Sequence, residues 1–441
     1  MFHGVVILIT AIAGWFLLLY VMEKRGILER FGLSLMGPFL MVRTTRGMDL
    51  IERISRWRGV HLVGRALVFL VIITMVGMTI LLIWTATLVQ MIPPERAPPP
   101  QALLGLPGVN PFIPLTYGII GLAVAIVVHE FAHGVLARRW KVKIRSLGVL
   151  LFIVPIGAFV EPEEDELKAL DRRKRGTVYA AGPGINVVLA VAMALLFSVV
   201  MMGSVQARAE GMGITGVIDG SPAETEGFSP GMIITAVDGI PLTGSAAFSE
   251  ALENLKAGDT VALSIYSQGS PEEVSIVLAD RYDFTNIDED RGRGYIGVST
   301  VSTSPDIFNP FEARKSLGWG NALFIYVLMP FQGLSPLQPP LTDFYEVTGA
   351  WSFIPAQLFW FLANAVYWVF WISLMLGMTN ALPAVPLDGG YLVRDWLEAV
   401  IRKLKGSMRA EDRERTARNV SYLIALFILG LILWQLIGPR I

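Results

Sequence analysis

Six stretches of this chain are apolar over bilayer-spanning length: Gly4–Met22, Ala66–Ile92, Pro114–Ala137, Val178–Gly203, roughly Ile354–Met378 and Val420–Ile437. About 20 apolar residues in a helix cross a hydrocarbon core of about 30 Å. The chain therefore reads as a polytopic α-helical membrane protein with about six transmembrane helices. Composition agrees, since 53% of its 441 residues are hydrophobic and only 17% charged, less charge than a soluble domain carries. A net charge of −1 gives no reason to expect a nucleic-acid partner. Cysteine is absent, which excludes disulfides, thiol nucleophiles and thiolate metal ligands. The first apolar run lacks a basic leader and a small-residue cleavage site, so it reads as an anchor and not a removed signal peptide.

Lysine and arginine set the orientation. Residues 23–65 hold nine basic residues, whereas the loop "PPERAPPPQALLGLPGVNPF" holds only Arg96. Arg138, Arg139, Lys141, Lys143, Arg145 and Arg172–Arg175 flank the third and fourth runs. The positive-inside rule places 23–65, 138–177 and 390–419 in the cytoplasm. Asn321–Leu334 is also apolar, but if it crossed, the eight basic residues of 390–419 would lie outside. It is therefore expected to be interfacial or re-entrant. Between runs three and four, "SLGVLLFIVPIGAFVEP" is too short to cross as a helix and is broken by Pro155 and Gly157. Irregular backbone at membrane depth must be buried in protein or line a cavity, which predicts a re-entrant β-hairpin.

Residues 207–302 change character. Charge rises, glycines mark turns, and "GITGVIDGSPAETEGFSPGMIITAVDGIPL" alternates short apolar strands with turns. "TVALSIYS" and "EEVSIVLAD" add two strands and "AAFSEALENL" a helix. This predicts an inserted soluble α+β domain on the extracellular side. Its Ser-Pro-Ala turn at 221–223, Gly231 corner, Val-Asp-Gly turn at 237–239 and closing "RGYIGVS" resemble a PDZ domain. The expected organisation is an N-terminal pair of spans with a basic segment (1–113), a first membrane core part (114–203) and the PDZ-like domain (207–302). A linker (303–352), a second membrane core part (353–390) and a basic segment with the last span (391–441) complete it.

The third run carries "HEFAH". Residues four apart share a helix face, so His129 and His133 can reach one metal ion, with Glu130 beside them as a base toward water. The alternative is a set of buried polar residues bridging helices. Ionisable groups at bilayer depth cost about 2.5–3.5 kcal/mol on insertion scales and usually mark function. A catalytic zinc takes three protein ligands, yet the chain has only four histidines. His3 lies at the outer end of the first run and His61 in a basic cytoplasmic stretch. A carboxylate from another run is then needed, and Asp388 in "NALPAVPLDGGYLVRDW" lies at matching depth. Pro383 and Pro386 break the helix there, and Gly389 and Gly390 let the chain turn. The alternative is a plain helix-ending turn, because Asp-Gly is a common turn pair. Asn186 in "AAGPGINVVLA" has two readings, an amide that holds substrate or an oxyanion and an interhelical hydrogen bond. Gly182 and Gly184 permit close packing there, or a kink at Pro183.

HEFAH, GPGIN and NALPAVPLDGG in this order resemble the site-2 protease family, intramembrane zinc metalloproteases that often carry inserted PDZ domains. The resemblance covers residues 114–390. It implies one Zn²⁺ per chain held by His129, His133 and Asp388, with Glu130 catalytic and Asn186 and Asn380 as active-site neighbours. It also implies that the 146–160 hairpin is the family's re-entrant β element. The expected substrate is a membrane-spanning protein segment that must locally unwind for cleavage, and the hairpin could capture it by strand addition. The expected partners are that substrate, the lipid bilayer, and a peptide or C-terminus at the PDZ-like domain. A membrane metal transporter or a catalytically silent scaffold are the rival readings. The first has no need of Glu130 beside a ligand, and the intact Glu130 argues against the second.

Overall fold

A computed structural model describes residues 2–440 apart from 31, 32, 95, 96, 98, 104 and 153. The chain forms two compact units, Met1–Met193 with Trp368–Ile441, and Ala194–Tyr367. Among the described residues, five helices are long and apolar enough to cross a membrane: Val60–Met91, Leu115–Arg139, Ala181–Ser204, Ala356–Asn380 and Ala410–Arg440. They overlap five of the six apolar runs. The remaining run, Gly4–Met22, falls in the helix Phe2–Lys24, whose first side chains lie outside the description. In Val60–Met91 and Ala410–Arg440 only 11% of the apolar window is buried, against 61% in Ala356–Asn380. Phe69, Ile80, Leu423 and Phe427 accordingly stand exposed, an apolar surface suited to lipid and not to water.

The first unit also contains a four-stranded antiparallel sheet of Leu33–Met36 (β1), Phe39–Thr44 (β2), Ile144–Phe152 (β3) and Val154–Pro162 (β4), in the order β1-β2-β3-β4. β3 and β4 form the hairpin expected from the sequence, with Leu147 opposite Val160 and Val149 opposite Ala158. Its extension by β1 and β2 was not expected, because residues 23–65 read only as a basic segment. Gly37 at φ 59 makes the turn between them, and β2 pairs with β3 from Leu40–Leu151 to Thr44–Leu147. The short helix Met48–Ser55 then packs on Leu115–Arg139. Ile51 enters a core with Ala132, Val135 and Leu136, and Glu52 pairs with Arg138. The hydrogen bond from Arg138 holds the Glu52 carboxyl below the usual carboxylate range. β4 is left as the edge strand.

In the second unit, a sheet runs in the order Ser270–Val277, Thr260–Ser267, Ile233–Val237, Met212–Val217, Val298–Ser302. Buried residues alternate along Thr260–Ser267, as a half-buried strand requires. Val261, Leu263 and Ile265 meet Ile214, Ile234, Ile276 and Ile296 in one core. Helix Ser245–Glu253 contributes Phe248 and Leu252 to its margin. Gln268 and Gly269 both take positive φ, a two-residue turn whose twist suits the antiparallel hairpin it joins. Asn321–Leu334 falls in the helix Pro310–Leu328, which bends at Gly318, and the turn after it. It is not among the five spanning candidates.

Candidate metal centre

His129 and His133 sit one turn apart on Leu115–Arg139, a helix that continues through the motif without a break. Asp388 is the first residue of Asp388–Leu404. The three side chains converge, with Nε2 of His129 3.1 Å and Nε2 of His133 3.3 Å from Oδ2 of Asp388. His133 Nδ1 lies 2.7 Å from the carbonyl oxygen of Val178. That carbonyl can only accept, so Nδ1 carries a proton, and Nε2 is the ring nitrogen on the Asp388 side. All three donor atoms lie within 4.8 Å of one another. Two donors held tetrahedrally at zinc-ligand distance are about 3.3 Å apart, so this set fits one zinc ion.

Glu130 is tied to the sheet. Its Oε2 accepts from the backbone N–H of Val160 on β4 at 3.1 Å. Because that N–H points away from β3, so does the N–H of Ala158, two residues earlier on the same strand. A cavity of about 460 Å³ lies between these elements. It is lined by the two histidines, Glu130 and Asp388, by Ala158 and Val160 of the edge strand, and by Tyr179, Asn380 and Tyr391. Tyr179 brings a phenolic O–H donor to this lining.

Glycine makes the close approaches possible. A Cβ on Gly182 would collide with Nε2 of both histidines, so helix Ala181–Leu195 lies directly against the two imidazoles. Gly389 and Gly390 have helical backbone and not the turn conformation expected for them. Their role is proximity, because a Cβ at either would strike the backbone of residues 381–385. Asn186 lies four residues after Gly182, fully buried behind His129, with Nδ2 3.2 Å from His129 Nδ1. It is not among the residues lining the cavity.

Contacts absent from the motifs complete the site. Arg175 donates to Asp395 at 2.6 Å and to the Lys168 carbonyl at 2.7 Å. Burial opposes the Arg175 charge, but the Asp395 hydrogen bond raises its pKa above the ordinary value. Tyr179 stacks on Tyr391 with ring centroids 5.6 Å apart. Both contacts tie helix Arg172–Tyr179 to the helix that begins at Asp388. A charge pair 220 residues apart leaves no local pattern by which a sequence could reveal it.

Residues 117–428 match the profile described as peptidase family M50. An uncharacterized protein of Methanocaldococcus jannaschii is 26% identical over 98% of both chains. A putative zinc metalloprotease of Brucella melitensis is 24% identical over 71% of this chain and 92% of its own. The zinc metalloprotease RasP of Oceanobacillus iheyensis is 22% identical over 63% of this chain and 62% of its own. A solved PDZ domain of an SdrC-like protein from Listeria monocytogenes is 26% identical, over 23% of this chain and 94% of that one, at a TM-score of 0.18. The chain belongs to peptidase family M50, the site-2 proteases. It is a membrane protein and a metalloprotease whose cofactor is zinc.

Proposed function

We propose that this protein hydrolyses peptide bonds within or next to membrane-spanning segments of anchored substrates, with His129, His133 and Asp388 holding the zinc. The observation that carries the reading is the convergence of those three side chains on one point beside Glu130, at a cavity bordered by a strand edge. Bound zinc supplies Lewis acidity, which lowers the pKa of water toward neutrality and polarises a carbonyl. Glu130 is the general base. One carboxylate oxygen is held by Val160 N–H, and the other takes the proton of the attacking water and delivers it to the leaving amine. A substrate helix must open before its backbone is accessible. The outward N–H and C=O of Ala158 supply a ladder on which the opened segment forms a fifth strand. Asn380 and Tyr179 offer further donors to the bound backbone.

The finer topology belongs to the same proposal. Six helices span, counting Phe2–Lys24, and β3–β4 is the re-entrant element. The active site lies toward the cytoplasmic side and residues 207–302, read as a PDZ domain, lie outside. There they bind a substrate C-terminus or exclude substrates with intact ectodomains. The test is Glu130→Gln. It is expected to keep zinc stoichiometry and to lose turnover on the order of 10²–10⁴-fold, with an uncut single-span protein accumulating in membranes. Wild-type turnover in that variant would remove Glu130 from its role.

A further inference from the structure

Both histidines of the metal centre must present a bare Nε2, and a neutral imidazole then carries its proton on Nδ1. For His133 the acceptor of that proton is the Val178 carbonyl. For His129 the side chain hydrogen-bonded at Nδ1, among the described residues, is the amide of Asn186, 3.2 Å away. In the orientation with Nδ2 toward the ring, two N–H groups would face each other, while Asn186 Oδ1 is buried with no donor among the described residues. A half-turn of the amide exchanges the two atoms in nearly the same volume. It sets Oδ1 on His129 Nδ1–H and relieves the facing donors. The side chain has little other freedom. Helix Ala181–Leu195 lies against the histidines at Gly182, and a Cβ on Gly377 would come within 3.2 Å of Asn186 Cβ.

We propose that Asn186 is the positioning residue of His129: its amide oxygen accepts the Nδ1 proton, fixes the tautomer and leaves Nε2 free for the cation. It acts through His129 and not on substrate, because it lies outside the cavity lining. The proposal rests on the assignment of His129 as a zinc ligand, and the experiment separates the two. Zinc affinity of the purified full-length protein is measured by chelator competition for wild type, Asn186→Asp, Asn186→Leu, Asn186→Ala and His129→Ala. A carboxylate can accept but not donate, so Asn186→Asp is expected to stay within a few-fold of wild type. Asn186→Leu and Asn186→Ala are expected to weaken zinc about 10–100-fold, the usual effect of losing an outer hydrogen-bond partner. The two apolar variants guard against one that fails to fold. ¹⁵N-histidine spectra are tractable because the chain has only four histidines, and zinc-loaded wild type should show His129 protonated at Nδ1. Wild-type affinity in the folded apolar variants, or equal weakening in Asn186→Asp, overturns the role of Asn186. Undiminished zinc binding in His129→Ala overturns the metal assignment itself.

Discussion

A missing side chain at position 182 is as much a part of this centre as the imidazoles it faces. The helix carrying Gly182 approaches so closely that any Cβ there would meet both Nε2 atoms. Gly182→Ala should therefore displace the ligands and lower zinc affinity at least about tenfold, with little cost to helix propensity, since alanine is the better helix former. Zinc titration at unchanged helical content checks this, and an unaltered affinity would mean the helix can retreat freely. The candidate ligands were legible because their chemistry is local: two histidines four apart, and a carboxylate after a proline break. The acceptors of their protons were not. Val178 contributes a backbone carbonyl, which every residue has, and Asn186 reads equally well as a substrate ligand until its neighbours are known.

At the scale of elements, the edge of β4 and the helix that begins at Asp388 shape the cavity. Proline at an outward-facing N–H leaves the β3 ladder intact and removes only the edge donor. Ala158→Pro should therefore keep zinc and the fold but lower kcat/KM for a membrane-spanning substrate on the order of tenfold, while a short soluble peptide is affected less. Equal loss on both would count against strand addition. The Arg175–Asp395 pair fixes the second element. Asp395 side-chain exposure is 6% and that of Arg175 15%, so removing one partner strands a buried charge. Asp395→Leu is expected to destabilise by about 3 kcal/mol, and Arg175→Leu in the same chain to restore much of that, as read by thermal unfolding in detergent. The hairpin β3–β4 was visible from its own residues. β1 and β2 were not, because β2 is held by pairing to β3, about a hundred residues later, and the four-residue β1 by pairing to β2.

At the scale of the whole molecule, orientation follows from charge placement. Because the native chain lacks cysteine, single cysteines at Ser245 and Ser407 report it cleanly. They should react with an impermeant thiol reagent from opposite faces of the membrane. Labelling of both from one side would show that Asn321–Leu334 crosses as well as Ala356–Asn380, or that neither does, and the cytoplasmic placement of the active site would need revision.

The sequence by itself determined that the chain is a membrane protein, where five of its candidate spanning helices lie, and which residues carry metal-binding chemistry. Those properties are local: apolar length, helical spacing and residue type. The tertiary structure alone decided that Asp388 and the two histidines meet, that Glu130 is tethered to a strand edge, and that residues 33–55 belong to the catalytic unit. These depend on contacts between segments tens to hundreds of residues apart. Packing, backbone hydrogen bonding and buried charge select them together, and none of the three is written in any one stretch of chain.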